Sequence, residues 1–115
     1  EALFMDGRAI FSFMMSEVPK DVAACLERNN LQLEQIDHFV FHQASKFMLQ
    51  SVSKRMRLDP AKVIIDIADF GNTTSSTIPI ALKRRILDDT DATNILLSGF
   101  GVGLSWASTV LTRPI

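Results

Sequence analysis

The fold is decided by the stretch Ile36-Asp37-His38-Phe39-Val40-Phe41-His42-Gln43-Ala44-Ser45. It opens with a short apolar run containing β-branched and aromatic residues, which is typical of a buried strand. The polar pair His42-Gln43 follows, and apolar residues at helical spacing begin soon after it. A histidine at the carboxyl end of a strand, just ahead of a helix, lies where open α/β sheets bind ligands. A single histidine beside an apolar run is also often a structural residue, so both interpretations stay open at this point.

The segments around this stretch predict alternating helices and strands. A helical pattern begins at Arg8 and is interrupted by Pro19, which lacks a backbone donor, so we expect a kink or two abutting helices before the stop at Asn29-Asn30. The later predicted elements are a strand over 39–42, a helix over 45–57, a helical turn after Asp59-Pro60, a strand over 63–67, a helix opening near Thr77, a strand over 94–98, a glycine turn over 99–103 and a closing strand over 104–111. This order predicts an α/β fold with a mostly parallel, mixed sheet that ends in an antiparallel strand.

Composition places the chain among globular domains. Its 115 residues are 47% apolar and 22% charged, with a net charge of −1, so residues 1–115 form one domain or part of one. No apolar run approaches the roughly 20 residues that a membrane span needs. The acidic residues Glu1 and Asp6 stand where a signal peptide would carry basic ones. We therefore expect a cytoplasmic protein that does not act in a membrane.

The single cysteine excludes an internal disulfide and a cysteine-cluster metal site. Cys25 falls on the apolar stripe of a helical segment, together with Val22 and Leu26. A reactive cysteine is favoured by a helix start or a glycine-rich turn, and neither is present at this position. We therefore predict that Cys25 packs in the core.

Three polar turns follow three successive predicted strands. They contain His42, then Gly71-Asn72, then the glycine turn around Phe100. With right-handed crossovers, all three turns lie at one edge of the sheet. Histidine and asparagine together supply two neutral hydrogen-bond donors, which suit the stabilisation of an oxyanion. Taken alone, Asn72 would more often be a helix-capping residue, and the glycines alone could form only a tight hairpin.

Basic residues are concentrated in the middle of the chain. Residues 46–85 hold eight basic and three acidic residues, whereas the rest holds four basic and ten acidic ones. At about 100° per residue, a helix over 45–57 projects Lys46 and Arg57 within roughly 20° of each other, with Lys54 about 80° from Lys46. This face suggests an acidic partner, although a merely solvated face would look the same. Basic and aromatic residues are not interleaved as in nucleic-acid-binding proteins, so no nucleic-acid partner is expected.

Three motifs, taken together, resemble a known enzyme family. They read Phe41-His42-Gln43-Ala44, Gly71-Asn72-Thr73-Thr74-Ser75-Ser76-Thr77-Ile78-Pro79 and Gly99-Phe100-Gly101-Val102-Gly103-Leu104-Ser105-Trp106. In order and spacing they are similar to the carboxy-terminal signatures of the type III β-ketoacyl-acyl-carrier-protein synthases. Met5-Asp6-Gly7-Arg8 and the helix after it also match, so the resemblance runs from Leu3 to Thr112.

The resemblance implies a thiolase-like fold of two similar halves, in an enzyme that forms a homodimer. Residues 1–115 resemble the carboxy-terminal half only, and we expect the amino-terminal half with its cysteine nucleophile, and the first strand of this half, to be missing. Such enzymes acylate that cysteine from acyl-CoA, decarboxylate malonyl-acyl-carrier-protein, and join the two by Claisen condensation in fatty acid biosynthesis. The resemblance implies no cofactor and no metal, since the substrates are the thioesters of CoA and of acyl carrier protein.

The same resemblance implies roles for individual residues. His42 and Asn72 match the catalytic pair that donates hydrogen bonds to the malonyl thioester oxygen. Phe100 matches an aromatic residue beside the nucleophile, and the backbone amide of Val102 matches the oxyanion hole, although the family often has glycine there. Ser45 stands in place of an asparagine that contacts the pantetheine arm.

The cations Lys46, Lys54 and Arg57 fit a docking face for acyl carrier protein. Alone, the chain is expected to be inactive as an acyltransferase, because none of its residues matches the family's nucleophile. Two alternatives stay open for the parent protein. It could be a thiolase-fold partner subunit that has lost the cysteine, or a specialised condensing enzyme of secondary metabolism.

Overall fold

A computed structural model describes residues 6–101 and 103–114. Three α-helices and three β-strands account for most of this part of the chain. Short 3₁₀ turns at Leu33–Gln35, Pro60–Lys62 and Thr74–Ser76 connect them. In chain order the main elements are α1 (Gly7–Arg28), β1 (His38–Phe41), α2 (Lys46–Arg55), α3 (Thr77–Arg85), β2 (Asn94–Gly101) and β3 (Ser105–Thr112). None of the helices in the described ranges is long and apolar enough to cross a membrane.

The strands form one mixed sheet in the order β1-β2-β3. Strand β1 pairs with β2 in parallel, with Phe39 opposite Leu96, and β2 pairs with β3 antiparallel, with Leu96 opposite Val110. The parallel pair needs a crossover, and the segment between β1 and β2 that contains α2 and α3 supplies it. The predicted α/β fold with a closing antiparallel strand is therefore confirmed.

The strand predicted over 63–67 is wrong, because this segment forms only one bridge to the sheet. Val63 pairs with Phe39 as an isolated parallel bridge, and the amide of Ile64 donates to the carbonyl of Phe39 at 3.0 Å. Beyond this bridge, the side chain of Gln43, and not the backbone of β1, hydrogen-bonds the carbonyl of Ile64 and the amide of Asp66. The apolar run that suggested a strand instead reflects burial, since Val63 and Ile64 are both buried.

Helix α1 runs from Gly7 through Pro19 without interruption, so the expectation of two abutting helices is wrong. A proline cannot donate the hydrogen bond that would normally satisfy the carbonyl four residues earlier. Here that carbonyl belongs to Met15, and it accepts a hydrogen bond from Nε of Arg55 at 3.4 Å. The cation from α2 therefore supplies a donor at the point where the proline has removed one. The helix ends at Arg28, as the asparagine pair predicts.

Helix α2 begins as predicted and ends earlier than predicted. Ser45 is its N-cap, and the Oγ atom accepts a hydrogen bond from the amide of Met48 at 3.1 Å. The last helical residue is Arg55, and Arg57 already has a left-handed φ of 55°. The helical angle calculated for Arg57 from the sequence therefore does not apply, because Arg57 lies beyond the end of the helix.

Two hydrophobic clusters fill the two faces of the sheet. Successive strand side chains point to opposite faces, so Phe39 and Phe41 enter one cluster while Val40 enters the other. The first cluster packs against α1 and α2, and the second packs against α3. Cys25 is buried on α1 as predicted, and burial raises the pKa of its thiol.

Candidate active site

His42 stands directly after β1 and continues the pairing with β2 through its backbone. Its amide donates to the carbonyl of Ser98 at 2.8 Å, which holds the residue at the carboxyl end of the parallel pair. The imidazole is half-buried, with Nδ1 2.6 Å from Oγ1 of Thr77. The ring of Phe100 meets it edge to face at a centroid distance of 5.3 Å. Burial lowers the pKa of His42, which favours the neutral imidazole.

Asn72 is brought to the same edge by a sharp turn of the backbone. Gly71 precedes it with a φ of +65°, a conformation that glycine adopts without a steric penalty. The side-chain oxygen of Asn72 accepts from the amide of Thr74 at 2.9 Å, a local turn just ahead of the 3₁₀ turn, whose N-cap is Thr73. Its Nδ2 lies 3.5 Å from the carbonyl of Ala44, two residues after His42. Asn72 is therefore not a helix cap, since Thr73 and Ser76 hold those positions. Its local turn uses the amide oxygen, and the amide nitrogen remains the donor.

Gln43 organises the floor of this site, and the sequence analysis did not single it out. Its side chain is only 1% exposed. The Nε2 atom donates to the carbonyl oxygens of Phe41 at 2.8 Å and Ile64 at 3.2 Å, and Oε1 accepts from the amide of Asp66 at 2.7 Å. One side chain thus supplies the hydrogen bonds that a longer strand over 63–67 would have made. No local sequence pattern indicated this role, because a glutamine after a strand is usually an exposed turn residue.

The loop that leads to Asn72 is also held from α3. The Nε atom of Arg84 lies 2.9 Å from Asp66, and Nη2 of the same residue lies 2.6 Å from Asp69. The guanidinium also stacks over the ring of Phe70 at 5.0 Å from its centroid. These contacts fix both ends of the segment before the glycine turn, so Asn72 projects from an anchored loop.

The predicted glycine turn is shorter than expected. Strand β2 continues through Phe100 to Gly101, so Phe100 is a strand residue, opposite Trp106 of β3. This position explains how its ring reaches His42. The backbone amide assigned to the oxyanion hole belongs to Val102, which lies outside the described residues.

Ser45 lies at the rim of a groove between the start of α1 and the start of α2. The groove has a volume of about 490 Å³, and its lining includes Arg8, Phe11, Phe47 and Met48. Phe11 and Phe47 stack at a centroid distance of 5.7 Å, although Phe47 remains 67% exposed. The oxygen of Ser45 accepts one hydrogen bond in the N-cap, which leaves its hydroxyl hydrogen and its second lone pair for further contacts.

The three predicted docking cations are all exposed. Lys46 is the first residue of α2, Lys54 lies near its end, and Arg57 follows the helix. The structure thus keeps all three available to a partner. Within residues 6–101 and 103–114, no three histidine, cysteine or acidic side chains are grouped so that they could hold a metal ion.

The fold is that of the thiolase-like condensing enzymes. A crystal structure of a 3-oxoacyl-(acyl-carrier-protein) synthase III superposes with a TM-score of 0.91 at 37% identity, over 98% of this chain and 34% of that one. The priming β-ketosynthase of the R1128 polyketide pathway superposes with a TM-score of 0.87 at 31% identity, over 98% of this chain and 35% of that one.

Within that class, the family described as 3-oxoacyl-[acyl-carrier-protein] synthase III, C terminal, matches residues 26–113. The chain belongs to this family. A β-ketoacyl-[acyl-carrier-protein] synthase III of Lactococcus lactis subsp. lactis is 36% identical over 113 residues. That match covers 95% of this chain and 35% of the relative, so the chain spans about a third of the length of the curated relatives it matches.

Proposed function

We propose that the intact protein containing this chain is a 3-oxoacyl-acyl-carrier-protein synthase III, an acyltransferase of fatty acid biosynthesis. In this proposal residues 1–115 are its carboxy-terminal catalytic part. The observation that carries it is the position of Asn72, whose Nδ2 lies 3.5 Å from the carbonyl of Ala44, two residues after the half-buried His42. His42 has a lowered pKa, and the amide of Asn72 lies against the turn that follows His42.

The two donors would act on the malonyl thioester. When the bond between the α-carbon and the carboxylate breaks, CO₂ leaves and the electron pair moves through the α-carbon to the thioester oxygen. Hydrogen bonds from His42 and Asn72 to that oxygen become stronger as its charge develops, which lowers the barrier. The α-carbon of the enolate then attacks the acyl thioester and expels the cysteine thiolate. Neither donor has to remove a proton in these steps.

The nucleophile of this reaction is proposed to lie in another part of the protein. Cys25 is a poor candidate because it is buried on α1 and its thiol pKa is raised, and the thiolate is the reactive form. The 115-residue chain alone would therefore transfer no acyl group. The missing partner half would bring the acyl-cysteine to His42, Asn72 and Phe100.

Substrate contacts are proposed at the same edge. Phe100 would shield the reacting thioester, the backbone amide of Val102 would contribute to the oxyanion hole, and Ser45 would contact the pantetheine arm in the groove. Lys46, Lys54 and Arg57 are exposed on α2 and just after it, and would attract the acidic carrier protein. The proposal includes a homodimer in the cytoplasm.

The test separates the two half-reactions in the intact protein. His42→Ala and Asn72→Ala should each slow CO₂ release from malonyl-acyl-carrier-protein by on the order of 10²–10³, the usual effect of removing one oxyanion donor. Acylation by radiolabelled acyl-CoA should change far less. His38→Gln is the matched control, because His38 begins β1 at its opposite end and contacts Asp89 instead. Equal losses in both half-reactions would contradict the assignment.

A second candidate is a condensing enzyme of a specialised pathway, which the likeness to the polyketide priming enzyme supports. The same donor pair would serve that chemistry with another acyl group. Competition between acyl-CoA substrates of different chain length, with the products identified by mass spectrometry, distinguishes the two. The sequence of the remaining part of the protein tests a third possibility, a partner subunit without the cysteine.

A further inference from the structure

The hydroxyl of Thr77 is buried and contacts both residues of the His42-Gln43 turn. Thr77 is the first residue of α3 and is only 4% exposed. Its Oγ1 lies 2.6 Å from Nδ1 of His42 and 3.2 Å from the backbone nitrogen of Gln43. Both contacts join residues more than 30 positions apart in the chain. This hydroxyl therefore links the start of α3 to the end of β1.

The direction of these hydrogen bonds follows from the atoms available. The backbone nitrogen of Gln43 can only donate, so Oγ1 of Thr77 accepts there. The hydroxyl still has one hydrogen of its own, and a buried donor normally has an acceptor. Among the residues that the structure describes, Nδ1 of His42 is the one acceptor in hydrogen-bonding contact with it. If Nδ1 carried a proton instead, the two lone pairs of Oγ1 could accept both donors, but the buried hydroxyl hydrogen would have no partner.

We infer that Thr77 holds His42 in the neutral tautomer that carries its proton on Nε2. Thr77 is thereby a positioning residue, which acts through the histidine and does not touch substrate. The catalytic role of this tautomer rests on the proposed function, whereas the tautomer itself does not. A protonated Nε2 donates a hydrogen bond to the thioester oxygen, whereas a bare Nε2 would direct a lone pair toward the developing negative charge.

The tautomer itself can be observed without any substrate. Nitrogen-15 spectra of the intact protein, labelled at histidine, distinguish a protonated ring nitrogen from an unprotonated one through their shifts and couplings. His42 is assigned by the signals that disappear in His42→Gln. Above the pKa of the ring, we expect an unprotonated Nδ1 and a protonated Nε2. A protonated Nδ1 in the unmodified protein would overturn the inference.

Substitution at Thr77 then tests whether its hydroxyl is the cause. In Thr77→Val, which keeps the shape and removes the hydroxyl, we expect a larger fraction of the Nδ1-protonated form. Thr77→Ser should restore the original spectrum, and Thr90→Val, at an exposed loop position, should leave it unchanged. A His42 spectrum unaltered by Thr77→Val would overturn the inference. If Thr77→Val does not fold, Thr77→Ala is measured in its place under the same criteria.

Activity gives the second readout. In Thr77→Val we expect decarboxylation to fall on the order of 10-fold, less than the roughly 10⁴-fold loss seen when a protease histidine is held in the wrong tautomer. The smaller effect is expected because an unconstrained imidazole still samples the Nε2-protonated form. Cysteine acylation should be unchanged, and Thr77→Ser should recover most of the rate. If the proposed function were wrong, His42→Ala would decarboxylate malonyl-acyl-carrier-protein at the wild-type rate. The nitrogen-15 spectra would still show which ring nitrogen of His42 carries the proton.

Discussion

Replacing Gln43 with leucine should lower the free energy of unfolding by about 3 kcal/mol. The side chain makes three hydrogen bonds with backbone atoms, of 2.8, 3.2 and 2.7 Å, to Phe41, Ile64 and Asp66. At about 1 kcal/mol for each net hydrogen bond, their loss accounts for this value. Leucine fills a similar volume, so little is added for a cavity. Any buried carbonyl left without a partner would increase the loss.

The measurement is urea unfolding of the intact protein and of its variants, compared at constant m-value. Gln50→Leu is the matched control, because Gln50 is exposed on α2 and makes no such contacts. It should change the free energy of unfolding by less than about 0.5 kcal/mol. If Gln43→Leu were as stable as Gln50→Leu, Gln43 would not be what anchors residues 64–66 to the end of β1. The position of Asn72 would then need another explanation.

Four further predictions concern charge, surface and the buried cysteine. Burial lowers the pKa of His42 below 6.5, so its contribution to stability is complete above that pH and is lost as the pH falls through the folded-state pKa. Urea unfolding at a series of pH values should show this loss of stability, and the His42→Gln variant should lack it. Lys46→Glu should raise the KM for the carrier-protein substrate but not for acyl-CoA, and this effect should fade as salt screens exposed charges. The control Lys83→Glu, on α3, should leave both KM values unchanged. The isolated chain should self-associate in sedimentation experiments, because β3 leaves one edge unpaired within the described residues and Trp106 is exposed, and a clean monomer would contradict this. Mass spectrometry after incubation with acyl-CoA should find Cys25 unmodified, and an acylated Cys25 would refute its assignment to the core.

Much of the fold was available from local sequence patterns. The apolar stripe of α1 predicted that Cys25 is buried, and the helical spacing of apolar residues from position 45 predicted where α2 begins. These features depend on neighbours within a few positions, so a short window of sequence contains their cause. The three motifs also predicted the family, which the match over residues 26–113 confirms. The catalytic roles of His42 and Asn72 remain predictions.

Other features depended on residues far apart in the chain. Apolar residues over 63–67 indicated a strand, yet a strand needs backbone pairing along its length, and this segment forms only the bridge between Val63 and Phe39. The Gln43 side chain takes over that pairing, and no local pattern distinguishes it from a polar turn residue.

Likewise, the sequence alone determined that a histidine follows the first strand and that Thr77 opens a helix. Only the tertiary structure decided that these two side chains meet at 2.6 Å, across a separation of 35 residues. Helix and strand patterns record which face of an element is buried, whereas a hydrogen bond between distant side chains depends on how the elements pack. The protonated nitrogen of His42 is therefore a property of the packed fold, and the identity of the residue is a property of the sequence.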